Sequence, residues 1–89
     1  MMKKYKLISA KDINTNEART DKASQNRIGC TYNIIAPVKG ASCIMQYLTD
    51  SNGDIKEGAT VTSSVQNFHH IGNCFVLTTL NTIYTFKEV

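Results

Sequence analysis

The chain has 89 residues, 42% hydrophobic and 19% charged, with a formal net charge of +3. That size and composition describe one folded domain, which buries only ~60–65% of the surface of its unfolded chain, and they exclude a disordered chain. No apolar run approaches the ~20 residues of a membrane-spanning helix, so no membrane partner is expected.

The start Met1-Met2-Lys3-Lys4 has the charge of a signal peptide, but Tyr5 to Ala10 is too short and too interrupted to follow as its apolar core. The expected location is therefore cytoplasmic. The three cysteines, Cys30, Cys43 and Cys74, are odd in number, and each lies inside an apolar strand pattern. Secreted miniproteins carry even sets at loop positions, so these read as buried, reduced, small hydrophobic side chains.

Lys3 to Ala10 alternates weakly and predicts a first strand, at a sheet edge because lysine protects edges. Lys11 to Asn26 is polar and reads as a long loop. Ala18 to Ala23 offers a turn of helix, but no apolar stripe supports a stable one. Loops of this length in small domains are mobile or functional. Up to Arg27 the basic residues Lys3, Lys4, Lys6, Lys11, Arg19, Lys22 and Arg27 face only Asp12, Glu17 and Asp21. Such a basic third suits an anionic partner or a solvated surface.

Arg27 to Ile35 predicts a second strand with Ile28, Cys30, Tyr32 and Ile34 on its core face. Gly29 falls on the opposite face, where a bend or a close backbone neighbour is expected. Pro37 to Gly40 makes a turn. Ser42 to Thr49 is a third strand, with Cys43, Met45 and Tyr47 on one face and Ile44 and Leu48 on the other. Apolar groups on both faces point to a central strand or to an interface around Met45.

Asp50-Ser51-Asn52-Gly53-Asp54 reads as a type I′ hairpin turn through Asn-Gly. It also resembles the opening of a calcium loop, but Ile55 stands where that loop needs Gly, no Glu closes it and no helices flank it. Ile55 to Phe68 predicts a strand, clearest over Ala59 to Asn67, and Phe68 to Asn73 a turn. Cys74 to Val89 is a closing hairpin of β-branched and aromatic residues interrupted by Asn81. The fold class is all-β, a small five- to six-stranded antiparallel barrel, SH3-like or OB-like, because closure removes exposed edges.

The chemistry-bearing residues are few. His69-His70 with Cys74 lacks the closely spaced ligand pairs of zinc sites, so no metal or cofactor is expected. There is no nucleophile elbow, phosphate loop, dinucleotide fingerprint or paired-carboxylate constellation, so the expectation is a non-enzymatic protein. Thr62-Ser63-Ser64 places hydroxyls on both faces of a strand. Together with Arg27 or Lys39 they suit phosphate or carboxylate oxygens, and the alternative is a solvent-facing strand. Tyr32, Tyr47, Tyr84, Phe75 and Phe86 supply either the core or a base-stacking surface.

Arg27-Ile28-Gly29, Thr62-Ser63-Ser64-Val65 and Thr79 to Phe86 together resemble a group of short proteins of unknown function encoded by Firmicutes bacteria and their prophages. These carry Arg-x-Gly, Thr-Ser-x-Val and Thr-x-Asn-Ser-x-Tyr segments, and Thr82 stands here in place of the usual Ser. The resemblance covers roughly residues 27 to 86. It implies a mobile-element setting, where small proteins act as inhibitors or accessory factors, and no ligand or catalytic residue.

The functional expectation is a binding module whose partner is a host protein or an anionic small molecule such as a nucleotide signal, acting against a bacterial defence as an inhibitor or sponge. The alternatives are a nucleic-acid-binding barrel and a structural module that assembles as a homo-oligomer.

Overall fold

The computed structural model describes residues 3–35 and 37–89, so Met1 and Met2 of the charged start lie outside the described residues. Six strands and one short helix follow in the order β1 (Tyr5–Asp12), α1 (Lys22–Arg27), β2 (Thr31–Ile34), β3 (Ser42–Thr49), β4 (Ala59–Ile71), β5 (Cys74–Thr79) and β6 (Thr82–Glu88). Each strand pairs antiparallel with the next, and β6 pairs with β1 to close the barrel.

The reason for closure can be read in the interior. Every strand contributes a hydrophobic residue of zero exposure: Leu7, Tyr32, Met45, Val65, Leu77 and Phe86. Burying each such side chain stabilises the fold by ~1.5–3 kcal/mol relative to leaving it in water, and only a closed sheet turns all six inward at once. Tyr32 and Phe86 meet edge-on across the barrel, with centroids 6.1 Å apart. Tyr5 packs on Phe75 at 5.6 Å.

β4 is 13 residues long and divides its pairing. Ala59 to Ser64 lies against β3, whereas Val65 to Ile71 lies against β5. The first half therefore runs past the β5–β6 turn and leaves an open seam at one mouth of the barrel. The segment between β1 and β2 folds over that mouth. Its backbone is tied to β1 by Arg19 N–H on the Ala10 carbonyl and by Gly29 N–H on the Leu7 carbonyl.

Several expectations are corrected. β1 is paired on both sides by β2 and β6 and is no edge strand. The segment read as a loop holds α1, with Asp21 as N-cap. Its order comes from its ends rather than from an apolar stripe. The Asp21 carboxylate accepts the Ser24 N–H at 3.0 Å, and at the other end the Arg27 carbonyl accepts the Tyr32 hydroxyl at 3.4 Å and the Cys30 N–H at 3.2 Å.

Arg27 thus ends a helix instead of opening a strand, and β2 starts only at Thr31. Ahead of β2, Gly29 has φ +88°, and a Cβ there would lie 3.1 Å from Cβ of Ser51, so this position needs glycine on both counts.

The Asp50 turn is not type I′. Gly53 has positive φ, but Asn52 does not. Asp50 Oδ1 instead accepts the Asn52 and Asp54 N–H groups, and the Gly53 N–H bonds the Asp50 carbonyl, as in a type I turn followed by a left-handed glycine. The residues from Phe68 to Ile71, read as turn, continue β4, and only Gly72-Asn73 turns. Cys74 is half-buried rather than buried.

Candidate functional site

The open seam forms a polar cleft of about 190 Å³ at the barrel mouth. Three parts of the chain line it: Val61, Thr62 and Ser63 from β4, Asn81, Thr82 and Tyr84 around the start of β6, and Arg19, Asp21, Ser24 and Arg27 from the covering segment. A larger hollow of about 370 Å³ lies beside it, lined by Asp12, Thr15, Glu17, Ala18, Arg19, Thr20 and Asp21. That hollow is the concave side of one loop and carries three carboxylates around one arginine. The smaller cleft is the better candidate, because residues distant in sequence converge there.

Arg27, Thr62 and Ser63, singled out by residue type in the sequence, are brought together in this cleft. Lys39 and Ser64 are not among its lining residues. Lys39 is exposed in the turn between β2 and β3, and the Ser64 carbonyl accepts the Leu80 N–H.

The two cleft hydroxyls have different tasks. Thr62 is 7% exposed, and its Oγ1 accepts the Cys43 N–H at 3.0 Å and donates to the Ser63 carbonyl at 2.7 Å. It repairs the irregular pairing of β3 with β4 and has no donor left for an anionic ligand. Ser63 is half-buried, and its hydroxyl has no hydrogen-bond partner among the described residues.

Arg27 is half-buried at the end of α1 and has no carboxylate within ion-pair reach among the described residues. Arg19 is occupied. Its Nε bonds Asp21 Oδ1 at 2.9 Å, and its Nη1 donates to Thr82 Oγ1 at 3.0 Å and to the Asn81 carbonyl at 3.5 Å. The hydrogen bond from Arg19, then those from Ser24, hold the Asp21 carboxyl well below the usual carboxylate range, so it is ionised at neutral pH. Two guanidinium groups against one carboxylate leave the cleft net positive.

Arg19, Asp21 and Tyr84 were not foreseen at the site. The available signal was Asp21 ahead of Lys22-Ala23-Ser24, an N-cap pattern that marks a helix start within the segment.

The lining residues include no histidine, cysteine or lysine, and the one carboxylate among them, Asp21, is bonded to Arg19 and to the Ser24 N–H. Among the described residues no group of three His, Cys, Asp or Glu side chains converges to hold a metal ion. His69 and His70 are exposed on β4, and His70 stacks on Phe75 at 4.8 Å. Tyr32, Tyr84, Phe75 and Phe86 are buried and Tyr47 is half-buried, so this aromatic area packs the interior rather than presenting a stacking platform. No helix among the described residues is long and apolar enough to cross a membrane. Comparison with protein-family models, with curated proteins and with solved structures finds no significant match.

Proposed function

We propose that the cleft binds oxygens of an anionic small molecule, such as the phosphate of a nucleotide, and that the protein holds this ligand rather than transforming it. The observation that carries the reading is Arg27, half-buried and without a carboxylate partner among the described residues, which lines the same polar cleft as Ser63, a residue whose hydroxyl is unengaged. Arginine and a hydroxyl are the donors that phosphate and carboxylate oxygens require. The cleft is smaller than the ~300–1,000 Å³ pockets that enclose whole drug-sized molecules, so it suits a phosphoryl-sized group with the rest of the ligand outside. In a prophage setting, suggested by the resemblance of its Arg-x-Gly and Thr-Ser-x-Val segments, such a protein would sequester a nucleotide signal used in bacterial defence.

Native mass spectrometry of gently purified protein tests this. The expected result is a retained small ligand on the wild type and none on Arg27→Ala, with the two proteins equally folded. Equal ligand retention by both would contradict the reading.

A second reading is favoured by one feature of the outer surface. Ile44 and Val61 are directly paired and exposed at 43% and 61%, and Ile35, 50% exposed, donates its N–H to the Ile44 carbonyl. This β-branched row suits a protein contact, either with a host protein or with a second copy. Sedimentation velocity of wild type and Ile44→Lys tests the second copy. An oligomer dissolved by the lysine supports it, and a monomer in both rules it out.

A further inference from the structure

We infer that the cleft is built for a ligand with two adjacent anionic groups, of diphosphate type, and that Asp21 stands in for the second group until the ligand displaces it from Arg19. This rests on the reading of the cleft as an anion site and says which anions it selects. Arg27 and Arg19 line one volume of about 190 Å³, and Asp21 lines it as well. Arg27 has no carboxylate partner among the described residues, whereas the charge of Arg19 is paired with Asp21 through a bond at 2.9 Å.

The exchange is inexpensive at each partner. The Arg19 and Asp21 side chains are 28% and 43% exposed, and a pair that open is weakly held because water screens it. Arg19 keeps its bond to Thr82 Oγ1 at 3.0 Å when the carboxylate leaves. Asp21 keeps its bond from the Ser24 N–H at 3.0 Å, so α1 stays capped. The released carboxylate moves toward solvent on its exposed side.

A ligand with one anionic group meets a different balance. It is held by Arg27 and Ser63 while the charge of Asp21 repels it, and it gains nothing from Arg19. A ligand with two groups replaces the carboxylate in kind and turns the repulsion into attraction.

Calorimetric titration with inorganic phosphate and inorganic pyrophosphate tests this on wild type, Asp21→Asn and Arg27→Ala. Asparagine removes the charge but remains a good N-cap, and Asp21→Ser serves the same purpose if the asparagine variant does not fold. The expected result is that the wild type prefers pyrophosphate, that neutralising Asp21 tightens pyrophosphate binding by up to about fivefold, and that Arg27→Ala loses both ligands. If the Asp21 variants bind pyrophosphate no better than wild type while Arg27→Ala still loses it, the stand-in role is overturned and the anion site remains. If Arg27→Ala binds both ligands as the wild type does, the site itself is overturned and the inference with it.

Discussion

Nη1 of Arg19 donates to Oγ1 of Thr82 at 3.0 Å, joining positions 63 apart in the chain. Thr82 is 4% exposed and opens β6, where its N–H bonds Oγ1 of the fully buried Thr79 at 3.2 Å. Arg19 thus ties the covering segment to the β5–β6 turn, whose Asn81 carbonyl also accepts the Ile13 N–H at 3.1 Å. Thr82→Val removes the acceptor. The expected loss is ~0.5–1.5 kcal/mol in urea unfolding with an unchanged slope, together with faster amide exchange over residues 13–27. Unchanged exchange in that segment would show that its order has another source.

Thr62 and Ser63 are neighbours with opposite expected phenotypes. Thr62→Val leaves the Cys43 N–H without the hydroxyl that accepts it, at a cost of ~1–3 kcal/mol in stability. Ser63→Ala removes a hydroxyl with no partner among the described residues, so stability should change by less than ~0.5 kcal/mol while phosphate binding weakens. Denaturation and calorimetry of the two variants separate the roles. Equal destabilisation by both would show that Ser63 is structural too.

The acid response follows from Asp21. Its carboxyl is held below the usual range, first by Arg19 and then by Ser24, so ionisation favours the folded state. That contribution is fully present above the unfolded carboxylate pKa of ~3.9 and fades as the pH falls from there toward the lowered folded value. The stability gap between wild type and Asp21→Asn should therefore stay constant above about pH 5 and narrow below about pH 4. Thermal melts across this range measure it, and a gap that widens on acidification would contradict the assignment.

The thiols should react in order of exposure. Cys74 is half-buried, whereas Cys30 and Cys43 are buried, and burial also pushes the Cys43 thiol pKa up. Iodoacetamide on folded protein at neutral pH should modify Cys74 first and leave Cys30 and Cys43 until unfolding. Early modification of Cys43, followed by peptide mass analysis, would show that the β3–β4 seam opens in solution.

The barrel was legible where burial writes a period of two. β3 runs over Ser42–Thr49 as expected, because Cys43, Met45 and Tyr47 alternate between clear turns. The closing hairpin turns at Leu80-Asn81 for the same reason. β4 was cut short at Phe68 because His69, His70 and Ile71 are exposed beyond the core, so no alternation marks them as strand. α1 was illegible because Ser24 is its one buried residue, and its ends are held by a few hydrogen bonds, one from the Ser24 N–H to Asp21 and two on the Arg27 carbonyl, rather than by an apolar face. Arg27, Thr62 and Ser63 are singled out in the sequence by their chemistry, and the fold brings all three to one cleft, where the Thr62 hydroxyl is engaged in the β3–β4 pairing. Arg19 was not legible, because its role depends on a partner 63 positions away. Lys39 and Ser64 carry suitable chemistry, but the fold places them outside the cleft lining.

The most direct test of the anion cleft is a ¹H–¹⁵N NMR titration of wild type and Arg27→Ala with inorganic phosphate. The account predicts saturable shifts at the amides of Arg27, Val61, Thr62 and Ser63 and at the Arg27 guanidinium, none at Lys39, and loss of the effect in Arg27→Ala. Shifts centred on Lys39 or the N-terminal lysines, or a response unchanged by Arg27→Ala, would contradict it.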